Sequence, residues 1–136
     1  MSVARLDELP RLAPESPGDA SWTPIRHLLG VEAFGVNAWH GDAAGDLVIE
    51  EHDEVGEQPE AGHEELYLVL AGRASFVVDG TEHDAPAGTL VAVAPSQRRV
   101  AHAAEAGTTV LAIGAARGAA FTPSAWEQKA VARAGI

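Results

Sequence analysis

Apolar and polar positions along the chain change over in short runs, punctuated at intervals by Gly, Pro, Asp and Ser. The richest run is Glu65 to Leu70, where Leu66, Tyr67, Leu68, Val69 and Leu70 make an apolar stretch of strand length. Ala71-Gly72 then turns the chain. Arg73 to Val78 forms the next predicted strand, closed by Asp79-Gly80. Asp-Gly between β-rich flanks predicts a tight hairpin, because both central residues of a type I′ turn need positive φ. Thr81 to Ala85 returns, Pro86-Ala87-Gly88 turns again, and Thr89 to Val93 is a strand broken by Pro95-Ser96. Arg99 to Ala104 and Thr108 to Gly114 are the last two predicted strands.

Upstream, Trp22 to Leu29 and Val31 to His40 are apolar-rich, are split by Gly30, and read as two strands. Gly41 to Gly45 is a turn, Leu47 to His52 alternates weakly as a strand, and Asp53 to Gly62 is a polar loop. Residues 1–20 hold three prolines and little periodicity, which predicts an arm. Near the end, Thr122 can cap a helix, Pro123 suits its first position, and Ser124 to Arg133 has helix-tolerant composition. Short strands so closely punctuated predict an all-β sandwich or barrel at residues 21–121. An arm at 1–20 and a helical tail at 122–136 flank it.

The length of 136 residues is that of one domain. A formal charge of −11 argues against nucleic acid and against an anionic membrane surface as partners. There is no Cys, hence no disulfide framework, thiolate zinc site or cysteine nucleophile. No apolar run approaches the roughly 20 residues that span a bilayer. Acids and prolines fill the first 20 positions where a signal peptide needs an apolar stretch, so the expected location is the cytoplasm. Between Arg26 and Arg73 eleven acids fall without one Lys or Arg, which reads first as a solvated face and second as a cation site.

The segment His63-Glu-Glu-Leu-Tyr-Leu-Val-Leu-Ala-Gly72 resembles the first motif of the cupin family, and Asp79-Gly80 and Pro86-Ala87-Gly88 resemble the turns that follow it. The resemblance covers about residues 45–114 and implies a single jelly-roll barrel. Metal-binding members carry two His, a Glu and a third His. Glu65 and Gly72 keep the family spacing, but counting back from Glu65 puts Pro59 and Ala61, or Gln58 and Glu60, in the paired His slots. Counting on from Gly88 puts Arg99 in the third His slot. Arg cannot lose its proton and is no ligand. The resemblance therefore implies that a Glu65–Arg99 pair, bidentate across the barrel mouth, has taken the place of the metal, so no metal or other cofactor is expected.

His63, Glu65, Tyr67 and Val69 share one strand face, giving a polar rim to an apolar pocket. With Arg99 facing inward, His102 faces out by parity, unless a bulge or slipped register turns it in. Neighbouring carboxylates are expected to raise the pKa of His52. His83 is expected exposed and His40 to pack outside the barrel. The tryptophans and phenylalanines are expected in core or interface, with Trp126 clamping the terminal helix to the barrel or to a second subunit.

Three functions remain open. The first is a metal-free cupin-like protein that binds a small organic molecule in the barrel, with Arg99 recognising an anionic group and His63, Glu65 and Tyr67 orienting it. The second is an enzyme. It is either metal-dependent through His52, His63 and Glu65, with His102 as an optional fourth ligand, or a metal-free isomerase or cyclase with His63 or Tyr67 as acid or base. The third is an acidic interaction module. The resemblance also implies a homodimer.

Overall fold

Pro24 ends the first strand because it lacks the N–H that a further ladder bond would need. β1 is therefore only Ser21–Thr23, and Ile25–Leu29 winds into a short helix, α1, where the sequence pattern predicted strand. Gly30 closes α1 with φ 69°, donating its N–H back into the last turn. The computed structural model describes all 136 residues. The remaining strands are β2 Gly35–Gly41, β3 Leu47–His52, β4 His63–Ala71, β5 Arg73–Val78, β6 Thr81–Pro86, β7 Leu90–Val93, β8 Arg99–Ala103 and β9 Thr108–Ala116. Asp79 and Gly80 both have positive φ, 47° and 80°, as the β5–β6 hairpin requires.

These strands form two antiparallel sheets, ordered β1-β2-β9-β4-β7 and β3-β8-β5-β6, facing each other as a jelly roll. The expected barrel is open in one sense: no hydrogen-bonded ladder joins the sheets, so side chains hold them together. Tyr67, Val69, Val110 and Ala112 from the first sheet meet Val48, Ala74, Phe76, Ala101 and Ala103 from the second. Alanines on the second sheet leave room for larger neighbours, and the Tyr67 and Phe76 rings lie 5.4 Å apart. The arm is tied down by backbone pairing of Leu12 with Trp22 and of Asp19 with Leu47.

The terminal helix, α2, spans Ala125–Ala134, and its cap is Ser124 rather than Thr122. Ser124 Oγ accepts from the N–H of Glu127 at 3.4 Å, satisfying a donor that the first turn leaves free. Arg26 of α1 reaches Glu127 at 3.3 Å, a nearly buried pair that ties the two helices over one end of the sheets. Trp126 packs on Trp22 and Trp39 at 5.0 and 5.7 Å, so it does clamp the helix to the sheet.

Candidate functional site

Two glycines open the space between the sheets. Gly35 of β2 and Gly114 of β9 stand opposite each other, and Gly114 in turn stands opposite Glu65 of β4. A Cβ on Gly114 would sit 3.1 Å from Glu65 Cγ, and one on Gly35 would sit 3.2 Å from the Phe121 ring. Without those side chains a cavity of about 460 Å³ forms. Trp22, Trp39, Phe121 and Trp126 wall it, α2 covers part of its mouth, and His52, Glu54, Glu65 and Tyr67 line its polar end.

At that end one histidine serves two acids. His52 Nε2 lies 3.0 Å from Glu54 Oε1 and 3.2 Å from Glu65 Oε1. Its Nδ1–H donates to the Glu50 carbonyl at 2.7 Å. With that proton committed, a second proton on Nε2 makes both carboxylate contacts attractive. Burial alone would lower the His52 pKa, but the hydrogen bonds to Glu54 and Glu65 push it up to about 10, in the direction expected from the sequence. The acids split. Burial raises Glu54 to about 7, helped by its neighbour Glu65. Burial also works against Glu65, yet the bonds from His52 and the charges of His52 and Arg99 hold it down at about 2. Glu54 is itself fixed by its backbone N–H, which donates to the Pro95 carbonyl at 2.8 Å.

Arg99 faces inward as parity required, with 0% of its side chain exposed, but the bidentate pair with Glu65 does not form. Nη1 stands 3.8 Å from Glu65 Oε1, too far for a hydrogen bond, while Nη2 donates to the Ala94 carbonyl at 3.0 Å. Arg99 sits behind Glu65 and is not among the residues lining the cavity. The anion recognition expected of it has no exposed surface to act through. Tyr67 lines the cavity with a buried hydroxyl that has no partner, and burial raises its pKa well above the usual value. His63 also lines the cavity, stacked on Phe121 at 5.5 Å, and burial lowers its pKa.

The alternative ligand set of His52, His63, Glu65 and His102 is not assembled. His102 is exposed, and the group that converges is His52, Glu54 and Glu65, with donor atoms within 4.8 Å of one another. Convergence alone would suit a metal of the kind cupins hold, but the chemistry does not. His52 Nε2 is held as a donor between the two carboxylates, and a fixed guanidinium stands against one of them. A divalent ion would have to displace the first charge and sit beside the second. The residues present do not fit the group.

Sequence reasoning missed Glu54 and gave His52 only a secondary place. Ten residues separate Glu54 from Glu65, so the family spacing counted back from Glu65 fell short, inside the loop. β3 also carries two register shifts, which bring His52 opposite Arg99. The available signal was His52-x-Glu54 at the end of a predicted strand, two residues apart and therefore on one face. His40 lies outside the barrel, as expected. It is on the outer side of its sheet, but Thr23 and Thr109 bond both ring nitrogens, and it is buried rather than merely packed against the surface. Burial and the nearby Arg11 charge lower its pKa to about 4.

The chain matches no protein-family model and no curated protein. It is similar to solved structures. A cupin protein from Bacteroides fragilis is 24% identical, with 91% of this chain and 88% of that one covered at a TM-score of 0.61. KdgF from a Halomonas species is 16% identical, with 85% and 95% covered at 0.66. A sugar phosphate isomerase of the cupin superfamily from Silicibacter pomeroyi is 20% identical, with 90% and 77% covered at 0.66. At these identities the likeness establishes the fold: the chain has the cupin jelly-roll fold.

Proposed function

We propose that this cupin-fold protein binds a small organic molecule between its sheets without a metal, the aromatic walls taking the ligand's apolar part and the His52–Glu54–Glu65 cluster its polar part. One observation carries the reading: the aromatic cavity ends on buried polar atoms with no partner, the Tyr67 hydroxyl and Glu54 Oε2. Buried polar groups are normally satisfied, and a ligand is a ready source of what these lack. His63, Glu65 and Tyr67 keep their proposed places as contacts, and Arg99 becomes a charge that, behind His52, helps hold Glu65 ionised. The lack of nucleic-acid partners rests on the net charge of −11. No helix is long and apolar enough to cross a membrane.

The split between Glu54, raised to about 7, and Glu65, lowered to about 2, favours a second reading, a metal-free proton-transfer enzyme. Two acids pushed apart by their surroundings can serve as acid and base at one pH. That some fold relatives are sugar phosphate isomerases is compatible with it.

Thermal-shift screening against organic acids, amines, alcohols and sugars tests the first reading, with elemental mass spectrometry on protein purified without chelator. The expected result is a raised melting temperature with at least one class, lost in Glu65→Gln, and metal far below one ion per chain. Near-stoichiometric zinc, iron, manganese or nickel would sink the metal-free site.

A further inference from the structure

We infer that the ligand of this cavity is an organic cation, an alkylammonium or guanidinium group carried on an apolar body. This rests on the proposed small-molecule site and names its ligand class. No Lys or Arg lines the cavity, whereas eight carboxylates do. Several are matched, most of them by cations outside the lining. Arg26 pairs with Glu127, Arg133 with Glu15, Arg98 with Asp53, and His52 and Arg99 flank Glu65. Two are left short. Glu54 Oε2 and Glu60 Oε2 are both buried, both belong to cavity-lining residues, and neither accepts a hydrogen bond. The Asn37 side-chain oxygen, also buried in a cavity-lining residue, lacks a donor too.

The wall is therefore short of donors, and the charge it presents is negative. An ammonium has three donors and no acceptor, and a guanidinium five and none. A carboxylate or phosphate ligand brings acceptors only: the Tyr67 hydroxyl can donate to it, but the unpaired carboxylate oxygens would stay unpaired and face a like charge. A neutral alcohol supplies a donor without the charge. The other wall agrees with a cation. Trp22, Trp39 and Trp126 bunch within 5.0 to 5.7 Å of one another and all line the cavity. Indole faces are the best cation–π partners among side chains.

Three probes of equal ring and chain, differing in charge, test this: 2-phenylethylammonium, 2-phenylethanol and phenylacetate. Their affinities for the full chain are read by titration calorimetry and saturation-transfer NMR at neutral pH. The ammonium is expected to bind at least about tenfold tighter than either of the others, and to weaken as salt is added. Glu54→Gln should cost the ammonium about tenfold and the alcohol clearly less, because only the ammonium loses a charge partner. Glu60→Gln, in the loop, serves if the first variant does not fold. Phenylacetate or the alcohol binding as tightly as the ammonium would overturn the cation and leave the small-molecule site standing. Ammonium affinity unmoved by the folded variants would do the same. No binding of any probe at tens of millimolar overturns both readings.

Discussion

His52 commits both ring protons inside the fold, one to the Glu50 carbonyl and one shared between Glu54 and Glu65. Its folded pKa of about 10 lies above the unfolded 6.5, so its contribution is complete below pH 6.5 and drains away as pH rises toward 10. Glu65 works the other way. Held at about 2 against 4.5, it stabilises the fold above pH 4.5 and loses that contribution as pH falls. Glu54, raised to about 7, favours the fold most below pH 4.5, and His40, lowered to about 4, favours it most above 6.5, so these two oppose each other in mild acid. The alkaline side is left to His52, faced by Glu54, by Glu65 of β4 and, beyond it, by Arg99 of β8. Melting temperatures between pH 7 and 10 should fall in the native chain and fall less in His52→Gln. Parallel slopes in the two proteins would remove the proton from the cluster. At this scale the sequence was readable wherever strand parity held. Glu65 and Tyr67 on one face and Arg99 turned inward all follow from period two. The His52–Glu54 pairing depends on register shifts and a long loop, which no local pattern reports.

β9 matters to the site through what it lacks. Gly114 has ordinary backbone geometry, so its role is the space above it rather than a turn. Gly114→Ala would press a methyl to 3.1 Å from Glu65 Cγ and 3.2 Å from the Glu64 carbonyl. The expected cost is about 1–3 kcal/mol in urea unfolding, as for other overpacked sites. Displaced Glu65 should also flatten the alkaline pH dependence. A variant that unfolds like the native chain and keeps that dependence would show the space to be incidental. Elements differed in how well they could be read. The β5–β6 hairpin carries its turn in two residues, Asp79 and Gly80, and was placed correctly. α1 is five residues long, too short for a helical period to appear, and its apolar residues read equally well as strand. In α2 the cap lay two residues beyond the expected Thr122, since Ser124 and Glu127 stand three apart, the spacing in which a cap and the first turn's N–H meet.

The molecule as a whole has one sheet face that its own chain leaves open. On the outer side of the five-stranded sheet Leu66, Leu70 and Leu90 are exposed, Leu90 by 61%. The homodimer that the resemblance implies would bury this stripe, and scattered apolar exposure becomes informative when it is contiguous. Light scattering at micromolar concentration should return twice the chain mass of 14.1 kDa, and Leu70→Glu with Leu90→Glu should return it once. A native chain already monomeric at that concentration would dismiss the pairing. The jelly roll was legible from strand spacing and turn residues because each hairpin is local. The cavity was not, since its walls come from the arm, both sheets and α2, which only the folded chain brings together. That convergence has an optical consequence. All three tryptophans stand in one cluster at the cavity and the single tyrosine lies on its floor, so every strong ultraviolet chromophore in the chain borders the same space. Emission from this protein reports the cavity's contents with no background from elsewhere, and needs no label.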